Sequence, residues 1–162
     1  MIVVLSGVAG AGKTTVGSAL AARLGWDLIE GDDLHPAANV EKMSRGEPLS
    51  DADRAPWLDA LRERIDEQIE TGEPAVVTTS ALKRRYRKAL HVNDPRVTLV
   101  FLDASPELIR KRLARRRDHF FDPSLLESQF SALERPSGAL VLSAGAPVPE
   151  LVERIVRHLE GS

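Results

Sequence analysis

The chain has 162 residues, of which 43% are hydrophobic and only 4% aromatic, which is enough for one domain built around an aliphatic core. With no cysteine, disulfides and thiolate metal sites are excluded, and a formal net charge of −2 provides no global attraction to nucleic acid or acidic lipid. No apolar run approaches the length of a membrane span and the apolar start lacks a basic leader, so a soluble cytoplasmic protein is expected.

Short apolar runs at 2–6, 26–30, 75–79, 97–103 and 139–143 are rich in Val, Leu and Ile and bounded by Gly, Pro or polar residues. They do not alternate with polar residues, as expected of parallel strands covered on both faces. Amphipathic stretches lie between them. A helix is expected over 13–24. The clearest pattern places Trp57, Leu58, Leu61, Ile65 and Ile69 on one face, starts at Ser50 with Asp53 spaced as a capping box, and stops at Gly72. Ser105-Pro106 and Asp122-Pro123 read as helix caps followed by proline at the first helical position, and a last helix is expected over about 150–159. Strands alternating with helices predict an α/β domain: a five-stranded parallel sheet flanked by helices, with right-handed crossovers. Two segments, 35–49 and 110–123, break this rhythm and are the candidates for a substrate-binding excursion (about 32–58) and a lid (about 112–124).

Gly7-Val8-Ala9-Gly10-Ala11-Gly12-Lys13-Thr14 matches G-x-x-x-x-G-K-[ST] at every defined position. It follows a predicted strand and opens a predicted helix, the setting that a phosphate loop requires. Glycines let successive backbone N–H groups turn inward around phosphates, and the helix N-terminus adds partial positive charge. Gly7, Gly10, Ala11, Gly12, Lys13, Thr14 and Thr15 are therefore the candidate nucleotide-binding residues. Lys13 is placed to reach the β- and γ-phosphates of ATP, and the Thr14 hydroxyl to bind Mg²⁺. Asp32 follows the next strand, where ligand crevices of parallel sheets lie, and is the candidate catalytic carboxylate and second metal ligand. Spacing alone does not choose between it and Asp33. Asp103 ends the run Leu99-Val100-Phe101-Leu102-Asp103 but stands just before Ser105-Pro106, where starting a helix is reason enough for it.

A positive stretch holds Arg110, Lys111, Arg112, Arg115, Arg116 and Arg117. A phosphate-transfer enzyme needs one or two such cations over the moving phosphoryl group. Arg112 and Arg116, four apart on one helical face, are the candidates, with Arg117 in reserve; Arg110, Lys111 and Arg115 read as a solvated face. A second basic run covers residues 83–88, but the negative overall charge and scarce aromatics argue against nucleic-acid binding. Trp57 lies on the apolar helix stripe and reads as core.

In order, Gly31-Asp32-Asp33-Leu34-His35-Pro36, Asn39, Glu41-Lys42-Met43, Gly46-Glu47-Pro48-Leu49, Asp53-Arg54, Pro56-Trp57-Leu58, Ser80-Ala81-Leu82-Lys83, Tyr86-Arg87, His119-Phe120, Ser128-Gln129-Phe130 and Leu133-Glu134 make the chain resemble the gluconate kinase family over nearly its whole length. That family is related to shikimate and nucleoside monophosphate kinases. The resemblance implies a phosphate-loop NTPase fold, transfer of the ATP γ-phosphoryl to the terminal hydroxyl of D-gluconate, Mg²⁺ as cofactor, and a homodimer. An open-chain polyol acid needs a cation for its carboxylate and polar partners for its hydroxyls, and Asp32, His35, Arg54, Lys83 and Arg87 offer them. His35 could equally serve as a structural contact beside Pro36. Departures from the family's pattern are Thr78-Thr79 before Ser80, where relatives often carry Cys, and His91 where many carry Arg. The Gly-rich triplet that shikimate kinase would place near residue 80 is absent. A kinase of another hydroxy acid or polyol, a nucleotide-dependent switch and a nucleic-acid end kinase are the competing readings.

Overall fold

A computed structural model describes residues 1–115 and 124–161. Among the described residues, β1 (Ile2–Ser6), β2 (Asp27–Glu30), β3 (Ala75–Thr79), β4 (Val97–Asp103) and β5 (Leu140–Ser143) form one parallel sheet in the order β2-β3-β1-β4-β5. Every residue of β1 and β3 is buried. The pleat sends Val3 and Leu5 to one face and Ile2 and Val4 to the other, which is why these strands lack polar alternation. On the first face Val3, Leu5 and Leu102 pack with Val16 and Leu20 of α1 (Lys13–Leu24), Ile109 of α5 (Pro106–Arg115) and Ile155 of α7 (Val148–Glu160). On the second, Ile2, Val4 and Val77 pack against Trp57, Leu61 and Ile65 of α3 (Asp51–Thr71) and Tyr86 of α4 (Arg84–Ala89). The expected α/β architecture is the one observed.

The helix ends follow local chemistry. Ser50 Oγ accepts from Asp53 N at 3.1 Å and Asp53 Oδ2 accepts from Ser50 N at 2.8 Å, completing the capping box of α3. Ser105 Oγ likewise accepts from Leu108 N at 3.1 Å to start α5. Several expected boundaries shift. Trp26 does not join β2, because its N–H still bonds Ala21 O at the end of α1. The last helix starts earlier than expected, with Val148 ahead of Pro149. Segment 35–49 is not irregular throughout: it carries α2 (Ala37–Ser44), short and polar enough that only Asn39 is buried. Residues 110–115 simply complete α5. Asp122-Pro123 and most of the expected lid, with Arg116, Arg117, His119 and Phe120, lie outside the described residues; α6 (Ser124–Ala132) follows them.

Candidate active site

The phosphate loop leaves the C-terminal end of central β1 and turns into α1 at Gly12, whose φ of 97° would strain any side chain with a Cβ. Lys13 is 7% exposed, and its Nζ donates to the carbonyls of Gly7 (2.8 Å) and Val8 (3.1 Å). Burial lowers its pKa, opposed by the negative charges of Asp32 and Glu30, so both carboxylates act on this ammonium. Thr14 and Thr15 are exposed at the first turn of α1. Thr14 Oγ1 donates to Glu30 Oε2 at 3.1 Å, and the same oxygen accepts from Thr78 Oγ1 at 2.8 Å. Glu30 is therefore a site carboxylate that the sequence reading missed. The oxygen donors at Thr14, a hydroxyl backed by the Glu30 carboxylate, suit a hard cation such as Mg²⁺ that takes most of its remaining ligands from phosphate and water.

Asp32 and Asp33 sit on the 3₁₀ turn Gly31–Leu34 that follows β2. Asp32 Oδ1 accepts from Ser80 Oγ at 3.1 Å, and its charge also acts on Lys13 and His35. Asp33 has no side-chain partner among the described residues. The geometry thus separates two carboxylates that spacing could not.

His35, Arg54, Trp57, Ser80, Leu82 and Gln129 line one cavity. Trp57 is 1% exposed, donates from Nε1 to Gly31 O at 2.8 Å and stacks on the His35 ring (centroids 4.5 Å apart, planes 13°). It is core, as expected, but core that props up the Asp32 turn. His35 Nδ1 lies 3.1 Å from Asn39 Nδ2. Burial lowers the His35 pKa; Arg54 acts in the same sense and Asp32 against it. Arg54 Nη1 donates to Leu49 O at 2.7 Å, and its guanidinium lies over the Tyr86 ring.

Two of the expected acceptor cations lie elsewhere. Lys83 opens onto a neighbouring cavity with Arg84, Arg85 and Lys88, and pairs with Asp51 at 3.7 Å. Arg87 is 2% exposed: its Nη1 donates to Ala81 O (3.2 Å) and Leu82 O (2.8 Å), and its Nη2 to Glu134 O (2.6 Å). It ties segment 80–83 to the stretch after α6. The basic spacing of residues 83–88 gave no sign that one of its arginines faces inward.

Arg112 donates from Nη1 to Gly10 O (2.9 Å) and from Nη2 to Ala144 O (2.6 Å). It lines a cavity of roughly 300 Å³ with Gly12, Thr15, Arg115, Ala144 and Ala146, which joins the start of α1 to the turn after β5. Arg115 was expected on a solvated face. It is exposed yet lines this cavity, because three residues along a helix return to the side of Arg112. Arg116 lies outside the described residues. Gln129 of α6 closes the gap between the two halves: its Oε1 accepts from Ala9 N in the phosphate loop at 2.7 Å, while the residue also lines the His35 cavity. His91, on a turn at φ 62°, lies 2.7 Å from Asp66 of α3 and takes no part in the site.

A phosphate loop after β1 and a polar cavity lined from the segments after β2 and β3 suit a phosphotransferase of the phosphate-loop class. Residues 2–136 match the family model described as AAA domain. The chain is 48% identical over 160 residues to a gluconokinase of Gluconobacter oxydans, covering 97% of this chain and 90% of that protein. Among solved structures it superposes on a sugar kinase of Janibacter sp. HTCC2649 (TM-score 0.92, 39% identity, 98% and 94% covered) and on a gluconokinase of Sinorhizobium meliloti 1021 (TM-score 0.82, 40% identity, 98% and 94% covered). The chain belongs to the gluconokinase family of phosphate-loop kinases.

Proposed function

We propose that this chain is an ATP-dependent kinase that transfers the γ-phosphoryl group to the 6-hydroxyl of D-gluconate, giving 6-phospho-D-gluconate and ADP. The observation that carries this is the 48% identity over 160 residues to a gluconokinase, in a chain that keeps the phosphate loop and a polar cavity beside it. Lys13, already oriented by two loop carbonyls, meets the β- and γ-phosphates with little rearrangement. Asp32, held by Ser80, accepts the hydroxyl proton as the new oxygen–phosphorus bond forms and the bond to the ADP oxygen breaks. In a loose transition state this carboxylate contributes chiefly by orienting the hydroxyl.

His35 and Arg54 are the acceptor's polar partners. Thr14, with Glu30 and Asp32 behind it, would hold Mg²⁺, which when bound offsets phosphate charge. Arg112 and Arg115 shape the nucleotide cavity, and Arg116 is the cation proposed to close on the transferred group. Arg87 and Lys83 act by holding segment 80–88. A homodimer in the cytoplasm is the assembly and setting that the family resemblance implies. The test is an ADP-release assay over a panel of sugar acids, polyols, shikimate and nucleosides, with the product identified by phosphorus NMR. Turnover of D-gluconate above the rest is expected; turnover of shikimate or a nucleoside with none of gluconate would sink the assignment.

A further inference from the structure

Asn39 is 4% exposed, and its Nδ2 donates to the backbone carbonyl of Asp53 at 2.8 Å. A carbonyl oxygen can only accept, so this contact fixes which end of the amide is the nitrogen. The other N–H of that nitrogen meets His35 Nδ1 at 3.1 Å. Two donors cannot share a contact, so Nδ1 must carry a lone pair and the ring proton must sit on Nε2. Protonating the ring would set N–H against N–H, and burial and Arg54 already act against that protonation, with Asp32 opposing them. Stacking on Trp57 holds the ring plane, and Trp57 is itself held by Gly31 O. Nε2 has no partner among the described residues, and the ring lines the acceptor cavity with Arg54, Ser80 and Gln129.

We propose that Asn39 is a positioning residue that locks His35 as the neutral Nε2–H tautomer, making it a one-way hydrogen-bond donor to a non-reacting oxygen of the sugar acid. A donor that cannot become an acceptor discriminates. It pairs with any hydroxyl or carboxylate oxygen placed before it and rejects an analogue that lacks one, because a desolvated N–H is then left unpaired. The role of Asn39 is separate from that of its neighbour Lys42, whose ammonium pairs with the Asp53 side chain rather than its carbonyl.

The reading rests on the proposed acceptor for its kinetic arm only. In ¹⁵N-histidine-labelled wild-type protein without ligand, long-range proton–nitrogen correlations of His35, assigned by comparison with His35→Gln, should show Nε2–H at neutral pH. An Nδ1–H or averaged pattern overturns the proposal whatever the substrate. Asn39→Asp places an acceptor-only carboxylate against Nδ1 and should move the ring proton there. KM for gluconate should then rise about tenfold, the scale of one lost buried hydrogen bond, with KM for ATP unchanged. An unchanged KM for gluconate, or an equal rise in both constants, overturns it. If wild-type enzyme does not turn over gluconate, it is the proposed function that fails, while the labelling experiment still decides the tautomer.

Discussion

Replacing Gly31 by alanine adds a single methyl at the point where the chain turns from β2 toward Asp32. Gly31 is not among the positive-φ residues, so its backbone would accept any side chain, and the reason for glycine here is space. A Cβ would stand 2.3 Å from Thr78 O and 3.2 Å from Leu61 Cδ2. Thr78 O belongs to β3, paired with β1 and β2, so it cannot yield alone. The turn must instead lift by about 0.7 Å to reach even the 3.0 Å below which Cβ contacts essentially never fall. Overpacking of this kind costs about 1–3 kcal/mol. At about 2–4 °C per kcal/mol for a chain of this size, Tm should fall by about 2–12 °C. Because the lifted turn carries Asp32, kcat should fall by up to about 10²-fold, as for misplacements near 1 Å. Thermal denaturation and steady-state ADP release measure the two effects, with Gly161→Ala as control, where the nearest atom would be 3.5 Å away. Wild-type Tm and kcat in Gly31→Ala would refute the idea that this close approach sets the position of Asp32.

Asp32→Asn should lower kcat by about two or more orders of magnitude while leaving KM for ATP within a few-fold, and near-normal turnover would remove Asp32 as base. Arg87→Met should destabilise the fold by about 1–3 kcal/mol for each carbonyl left without a donor, read by urea denaturation. A stable Arg87→Met protein with a raised KM for gluconate would instead make this arginine a direct ligand. Asp53 titrates at about 2 because of its hydrogen bond from Lys42 and, next, those from Ser50. Its folded pKa lies below the ordinary 3.8, so the unfolded chain takes the proton first. The stabilisation is whole above pH 3.8 and disappears as pH falls through about 2, so Asp53→Asn should flatten acid unfolding in that window when followed by circular dichroism.

What the sequence made legible was local. The strand runs, the phosphate loop and the Ser50–Asp53 box each depend on neighbours a few residues away, and they stand where expected to within a residue or two. Helix α2 escaped because a short polar segment burying one asparagine carries no periodic signal. Asp32 could be separated from Asp33 only by Ser80, 48 residues on, and Gln129 reaches Ala9 across 120. Arg87 shows the opposite limit: in sequence it is one more charge in a basic run, and only the fold turns it inward onto three carbonyls. Composition and spacing name the residue types that a site can use, but long-range contacts decide which copies it employs.

The strand order has a consequence for how phosphoryl donor and acceptor are kept in range. The phosphate loop leaves β1 after Ser6, Asp32 follows β2, and β3 lies between them, with Ser6 level with Thr79 and Glu30 level with Thr78. Two strand spacings of about 4.8 Å therefore separate the phosphate loop from the turn that carries Asp32, the carboxylate proposed to orient the hydroxyl. That interval is ruled by the backbone ladder of the sheet, with Ser80 as the graduation in between. Under the proposed mechanism, changes in the surrounding loops would alter which acceptor is admitted without altering the distance that the phosphoryl group must cross.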